Sequence, residues 1–179
     1  MWRLSLLLNL IFINDMEYAE YNSKFLFPGE LFFSPEPYKI TTLLGSCVSV
    51  VLFNTKYKCG GMNHYLLPDT VDVANKTDNK YGVYAINNLI NQMLKVDSNI
   101  SNYEAKIFGG NRVINNVGLY EYDIGGKNIA LAKKMLKQFG IFISCEYVDN
   151  DFGIKIHYFN FTGRVLVAKI QNSLRTDNK

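Results

Sequence analysis

The 179-residue sequence is poor in several residue types, and each scarcity excludes a class of protein. Its three cysteines, Cys47, Cys59 and Cys145, are few and odd in number, which argues against a disulfide framework and for a reducing compartment. There are only two histidines, and no Cys-x-x-Cys or His-x-x-x-His spacing occurs, so we predict no metal site. A net charge of +3, without a Lys/Arg stripe, argues against a nucleic-acid partner.

Long hydrophobic runs are also lacking. The N-terminal stretch MWRLSLLLNLIFIND has the positive charge and apolar run of a secretory signal, but Ser5 and Asn9 interrupt the run and no small-x-small cleavage site follows. The run is too short to span a membrane, so we expect no stable membrane insertion. A targeting or membrane-associating segment, a packed or frayed extension and an over-called start site stay open as alternatives.

Hydrophobic residues are plentiful at 48%, and aromatic residues make up 14%, which suits a thick core rich in β structure. The length suits one domain with appendages. We expect an N-terminal extension of uncertain order at residues 1–27, a single domain at 28–170 and a polar tail at 171–179.

Alternating and helical hydrophobic patterns divide the domain into about seven strands and two helices. Residues 81–95 and 126–139 predict the two amphipathic helices, and Gly140 ends the second. The predicted strands lie at 39–44, 47–54, 59–67, 103–110, 141–148, 154–161 and 164–170, with one further short strand around 31–33. This order predicts an α+β fold: mixed β-sheets built from hairpins, with the two helices packed on them in a layered α/β sandwich.

The segment TTLLGSCVSVVLFN places a Gly-Ser-Cys step between two apolar runs. Cys47 is either a packed thiol or a nucleophile presented by the turn. If the following hairpin is centred near residues 56–57, residues whose numbers sum to about 113 face each other, so His64 lies opposite Ser49. Ser49 shares a face with Cys47, which brings His64 within diagonal reach of the thiol.

A rival pair is Cys145 with His157, which would face each other across a hairpin at DNDFG. Lys155 and His157 share a face that is typical of a solvated edge, and no glycine-rich turn precedes Cys145. Cys59, beside two glycines, is expected to be a packed thiol. The residues alone leave an inert buried cysteine and a thiol enzyme both open.

Six blocks then carry a resemblance: TTLLGSCVSVVLFN, GGMNHYLLP, YGVYAINNLINQML, EAKIFGG, IGGKN and GIKIHYFNFTGRVLV. In this order and spacing, over about residues 28–170, the chain resembles the CheD family of chemoreceptor glutamine deamidases. The resemblance implies Cys47 as nucleophile, His64 as general base and acid, and Thr41, six residues before the cysteine, as the hydroxyl that holds the imidazole. No metal or cofactor is implied.

The resemblance also implies substrates and partners. Glutamine side chains on helical, methyl-accepting chemoreceptors would be hydrolysed to glutamate through a cysteine thioester in the cytoplasm, and glutamate methyl esters by the same chemistry. We infer backbone N–H groups near Ser46 and Cys47, at the Gly45 turn, as oxyanion donors. A CheC phosphatase is the implied partner, contacting the region of Gly109, Gly110 and Asn111, although NRVINNVG departs from the family there. The alternative is a non-enzymatic adaptor that binds receptors or CheC.

Overall fold

The computed structural model of the protein describes residues 21–69, 78–112 and 123–170. Nine strands and two α-helices follow one another over these residues. They are β1 Asn22–Phe25, β2 Leu31–Ser34, β3 Tyr38–Leu44, β4 Val48–Asn54, β5 Cys59–Asn63, α1 Gly82–Leu94, β6 Tyr103–Gly109, α2 Ile124–Phe139, β7 Phe142–Val148, β8 Ile154–Phe159 and β9 Arg164–Lys169. None of the helices in the described ranges is long and apolar enough to cross a membrane.

The strands form two mixed sheets. A four-stranded sheet has the order β1-β3-β8-β9, and a five-stranded sheet has the order β2-β5-β4-β6-β7. The predicted α+β fold class is confirmed. The predicted hairpin register of β4 and β5 is confirmed too, because Val51 pairs with Met62 and Leu52 with Gly61, numbers that sum to 113.

Alternation along the strands builds two hydrophobic cores on the two faces of the five-stranded sheet. Val50 and Leu52 of β4 pack on one face against the helices, which contribute Ile86 and Leu136. Val51, on the opposite face of β4, packs with residues of the four-stranded sheet. The order of layers is therefore helices, five-stranded sheet and four-stranded sheet.

The predicted hairpin between residues 141–148 and 154–161 is wrong. β7 pairs in parallel with β6 in the five-stranded sheet, whereas β8 lies in the four-stranded sheet between β3 and β9. The reason is topological: α2 connects β6 to β7 as a crossover, and a strand that follows such a helix joins the sheet parallel to its predecessor. The turn signal in DNDFG marks a passage between sheets.

The end of the second helix lies where the sequence predicted it. Helix α2 ends at Phe139, and Gly140 caps it in the left-handed conformation with φ 71°. Strand β1 pairs with β3 and falls within the range assigned to the N-terminal extension. The predictions for residues 1–20, for most of the NRVINNVG loop and for the tail at 171–179 concern residues outside the described ranges.

Candidate active site

The Gly-Ser-Cys step is the corner at which the chain passes from one sheet to the other. β3 ends at Leu44 in the four-stranded sheet, and β4 begins at Val48 in the five-stranded sheet. The corner loop (residues 45–47) leaves Ser46 exposed and Cys47 half-buried against the core between the sheets. A turn of small residues at this junction thus presents the thiol at the rim of the sandwich.

Four consecutive carbonyl groups of this corner are held from outside the loop. The bonds run from Asn111 Nδ2 to Leu44 O (3.4 Å), from Asn111 N to Gly45 O (2.8 Å), from Asn128 Nδ2 to Ser46 O (3.3 Å) and from Gly110 N to Cys47 O (2.7 Å). In a trans peptide the N–H points opposite to the C=O. The N–H groups of Ser46 and Cys47 therefore point away from these donors, and no backbone carbonyl in the described ranges accepts from either.

His64 follows β5 directly and is anchored through its own backbone. Its N–H donates to Glu30 O at 2.9 Å, and its C=O accepts from Gly29 N at 2.7 Å. On the other side, a bridge pairs Val48 with Tyr65, which continues the sum of 113 and sets His64 opposite Ser49. If the alternation of β4 continues one residue further, to Cys47, the register makes Cys47 the diagonal neighbour of His64 on the same face of the sheet.

A hydrogen-bond chain fixes the tautomer of His64. Thr42 Oγ1 lies 2.8 Å from His64 Nδ1, and the same hydroxyl donates to Leu26 O at 2.7 Å. A hydroxyl has one proton to give. Because the Leu26 carbonyl can only accept, the Thr42 hydroxyl accepts from Nδ1–H, and the lone pair of the neutral imidazole lies on Nε2.

The Nε2 atom is buried and has no hydrogen-bond partner in the described part of the chain. Burial lowers the pKa of His64 to about 4, and the Leu26 carbonyl opposes this shift. Burial also raises the pKa of the Cys47 thiol, and the residue's own backbone N–H opposes the rise. At neutral pH the resting site therefore holds a neutral thiol and a neutral imidazole whose free lone pair can accept a proton.

The hydroxyl that holds His64 belongs to Thr42, and the expectation for Thr41 is corrected. Thr41 Oγ1 lies 2.8 Å from Nδ1 of His157, its cross-strand neighbour on β8. Successive side chains of a strand point to opposite faces, so Thr42 faces the inter-sheet core and Thr41 faces away from it. The signal was present in the sequence, because Ile40 and Leu44 place Thr42 in the apolar phase of β3.

The residues that the resemblance assigned to a partner surface lie beneath the corner loop. Gly109, Gly110 and Asn111 are all buried. A Cβ atom at Gly109 would stand 2.3 Å from Cys47 O, so only glycine permits this approach. Their described contacts support the corner loop, and the partner contact stays a prediction.

The rival pair is separated by the fold. Cys145 lies exposed on β7 of the five-stranded sheet, whereas His157 lies on β8 of the other sheet. Cys59 is buried, as expected for a packed thiol. In the described ranges, no three His, Cys, Asp or Glu side chains are grouped so that they could hold a metal ion.

Two residues of the site escaped the sequence reasoning. Thr42 was passed over for its neighbour, as described above. Asn128 lies in the IGGKN block that carries the resemblance, yet no role was assigned to it. Its side chain is fully buried and reaches the corner loop from α2. A polar residue among the apolar positions of an amphipathic helix is the signal that could have found it.

These features define a class of protein: an α+β sandwich that presents a cysteine beside a buried, tautomer-fixed histidine at the corner between two sheets. Residues 66–169 match the family model described as CheD chemotactic sensory transduction. A protein of Methylobacillus flagellatus named "Probable chemoreceptor glutamine deamidase CheD" is 39% identical over 150 residues, which cover 82% of this chain and 73% of the relative. A protein of the same name from Thiobacillus denitrificans is 37% identical over 149 residues, covering 82% and 73%.

The chain belongs to the CheD family. The resemblance seen in the six motifs is thereby confirmed. The range matched by the family model begins after His64, so catalytic roles for Cys47 and His64 are a proposal that rests on the geometry of the site and on the motifs around them.

Proposed function

We propose that this protein is a thiol-dependent amidohydrolase that converts glutamine side chains of chemoreceptors to glutamate. Relatives that cover most of the chain carry the name of such a deamidase. The observation that carries the proposal is the free, buried Nε2 lone pair of His64, set diagonally from the half-buried Cys47. A thiol with a raised pKa needs a neighbouring base of this kind to act as a nucleophile.

The reaction begins when His64 Nε2 takes the proton of the Cys47 thiol. The sulfur attacks the amide carbon of the glutamine side chain, and a C–S bond forms while the carbonyl oxygen becomes an oxyanion. The protonated imidazole then gives its proton to the nitrogen, the C–N bond breaks, and ammonia leaves a thioester on Cys47. Water, deprotonated by His64, attacks the thioester, and glutamate and the free thiol are released.

The N–H groups of Ser46 and Cys47 are the proposed oxyanion donors. Each N–H group shares a peptide unit with a carbonyl, Gly45 O or Ser46 O, that accepts a hydrogen bond from Asn111 or Asn128. Both N–H groups are therefore held in place before the substrate arrives. Donors that are fixed in advance stabilise the developing charge without a cost of reorganisation. In the proposed mechanism the backbone of the corner loop therefore acts together with the thiol.

Acyl transfer of this kind also accommodates a methyl ester of glutamate, with methanol leaving instead of ammonia. The proposal uses only protein side chains, backbone N–H groups and water.

Because the receptor side chains concerned would lie on the cytoplasmic helices, we place the protein in the cytoplasm. A contact with CheC is retained as a prediction of the family resemblance.

The test is the intact mass of a purified receptor cytoplasmic fragment after incubation with the protein, with Cys47→Ala and with His64→Gln. We expect a gain of about one dalton per site, from NH₂ replaced by OH, with the wild type alone. Binding of the fragment is measured in parallel for all three proteins. Equal binding by all three with no mass gain by any would favour the adaptor and overturn the proposal.

A further inference from the structure

Asn128 is a buried side chain that joins the two halves of the candidate site. Its Nδ2 donates to Ser46 O at 3.3 Å, beside the thiol, and to Leu66 O at 2.8 Å, two residues after His64. Its backbone carbonyl accepts from the Tyr65 hydroxyl at 2.7 Å. One residue of α2 therefore contacts both the corner loop and the segment that carries the imidazole.

Glycines at the start of α2 bring Asn128 to this position. A Cβ atom at Gly125 would stand 2.5 Å from Gly110 O, and one at Gly110 would stand 2.6 Å from side-chain atoms of Ile129. The first turn of α2 therefore packs directly on the backbone at the end of β6. The close approach brings the asparagine side chain within hydrogen-bond distance of the corner loop.

The hydrogen bonding of Asn128 is incomplete in a way that argues against a purely stabilising role. Both Nδ2 donations go to backbone carbonyls, but Oδ1 is buried and has no hydrogen-bond partner among the described residues. A buried acceptor without a donor costs free energy. Residues that carry such a cost are concentrated at functional sites, where geometry matters more than stability.

We propose that Asn128 is a positioning residue, which sets the Ser46 peptide and the His64 segment relative to each other so that the imidazole can reach the Cys47 thiol. The inference rests on the proposed function. Asn128 touches neither the thiol nor the imidazole in the described contacts, so its effect passes through the backbone of the corner loop. Both protons of its amide are engaged, and the side chain therefore offers none to a substrate.

Two variants and a matched control test this role. Asn128→Asp keeps the shape but replaces the two donors with acceptors, and Asn128→Ala removes the group. The control is Asn160→Ala, which removes another buried asparagine whose Nδ2 donates to backbone carbonyls, those of Ser34, Glu36 and Gly60, near the opposite end of β3. Deamidation of the receptor fragment and thermal unfolding are measured for all of them.

For both Asn128 variants we expect kcat per folded molecule to fall tenfold or more, with KM changed less than threefold, whereas Asn160→Ala loses stability and keeps kcat. Wild-type kcat in folded Asn128 variants would overturn the proposal. So would failure of both variants to fold, because the role would then be stability alone.

A second measurement is independent of the receptor. The rate at which iodoacetamide alkylates Cys47 at pH 7, mapped by mass spectrometry, is measured for the wild type, Asn128→Asp, His64→Gln and the double variant. We expect His64→Gln to lower the alkylation rate of Cys47 when it is introduced into the wild type. In Asn128→Asp the same change should lower the rate no further, because the imidazole of that variant no longer reaches the thiol. Additive effects would overturn the positioning role. A wild type that alkylates as expected but does not deamidate would count against the proposed function only.

Discussion

At the scale of single residues, two adjacent threonines hold two different histidines on opposite faces of one strand. Thr42 accepts from the buried His64, and Thr41 contacts the half-buried His157. The two hydrogen bonds have the same length. What distinguishes the two histidines is that His64 is more deeply buried and has a cysteine nearby. Each threonine is therefore the natural control for the other.

Replacing Thr42 with valine leaves the shape of the side chain and removes the acceptor for His64 Nδ1–H. We expect Thr42→Val to lose about 1–3 kcal/mol of stability, since a buried donor is left unpaired, and to lower kcat for receptor deamidation tenfold or more. Thr41→Val should stay within about twofold of the wild type in kcat. Thermal unfolding and initial rates measure both. Equal losses in the two variants would contradict the assignment of Thr42.

The imidazole of His64 makes stability depend on pH. It binds a proton near pH 6.5 in the unfolded chain but only near pH 4 in the folded protein. Between these values the unfolded state holds more protons, so stability falls as the pH falls, by about 3 kcal/mol in total from this residue. The contribution is complete above pH 6.5 and lost below pH 4.

Urea unfolding between pH 7 and pH 4 tests this dependence. We expect His64→Gln to flatten the slope of unfolding free energy against pH over that interval. His157→Gln is the control, because the pKa of His157 is also lowered, by burial and by Lys155 and Lys39, but its ring is only half-buried. An unchanged slope in His64→Gln would show that the folded imidazole titrates normally.

At the scale of elements, the end of β6 supports the corner loop through two glycine positions. Gly109 has φ 96° and Gly110 has φ 64°, both in the region that favours glycine. The chain turns there so that Gly110 N reaches Cys47 O at 2.7 Å. The strand end therefore acts as a platform for Cys47, the proposed nucleophile.

A substitution at this platform separates backbone strain from displacement of the loop. Gly109→Ala and Gly140→Ala both place a side chain at positive φ, which costs about 1 kcal/mol. At Gly140 the nearest atom would be 4.0 Å from the new Cβ, whereas at Gly109 it would be Cys47 O at 2.3 Å. We expect only Gly109→Ala to reduce deamidation per folded molecule, by tenfold or more. Equal activity of the two variants would contradict the platform.

Elements that depend on local signals were predictable from the sequence, and those that depend on topology were not. The register of β4 with β5 followed from one turn, and the end of α2 followed from Gly140. The strand that pairs with β7 could not be predicted, because DNDFG is equally compatible with a hairpin and with a passage between sheets. Asn128 was missed for the same reason, since its contact with Ser46 joins positions 82 apart.

At the scale of the whole molecule, the site exists because the chain changes sheets between β3 and β4. Thr42 comes from the four-stranded sheet, His64 from beside the five-stranded sheet, and Cys47 from the corner that joins them. The geometry of the proposed active site is therefore coupled to the packing of the two sheets. Core variants between the sheets should affect activity as well as stability.

The central claim is that Cys47 is the nucleophile, and staged alkylation tests it most directly. The protein is treated with iodoacetamide in steps, the modification of each cysteine is mapped by mass spectrometry, and receptor deamidation is measured at every step. The exposed Cys145 serves as internal control, and Cys145→Ala is run beside the wild type. We expect the remaining activity to equal the fraction of unmodified Cys47 and to be indifferent to Cys145. Continued deamidation by protein whose Cys47 is fully modified would contradict the claim.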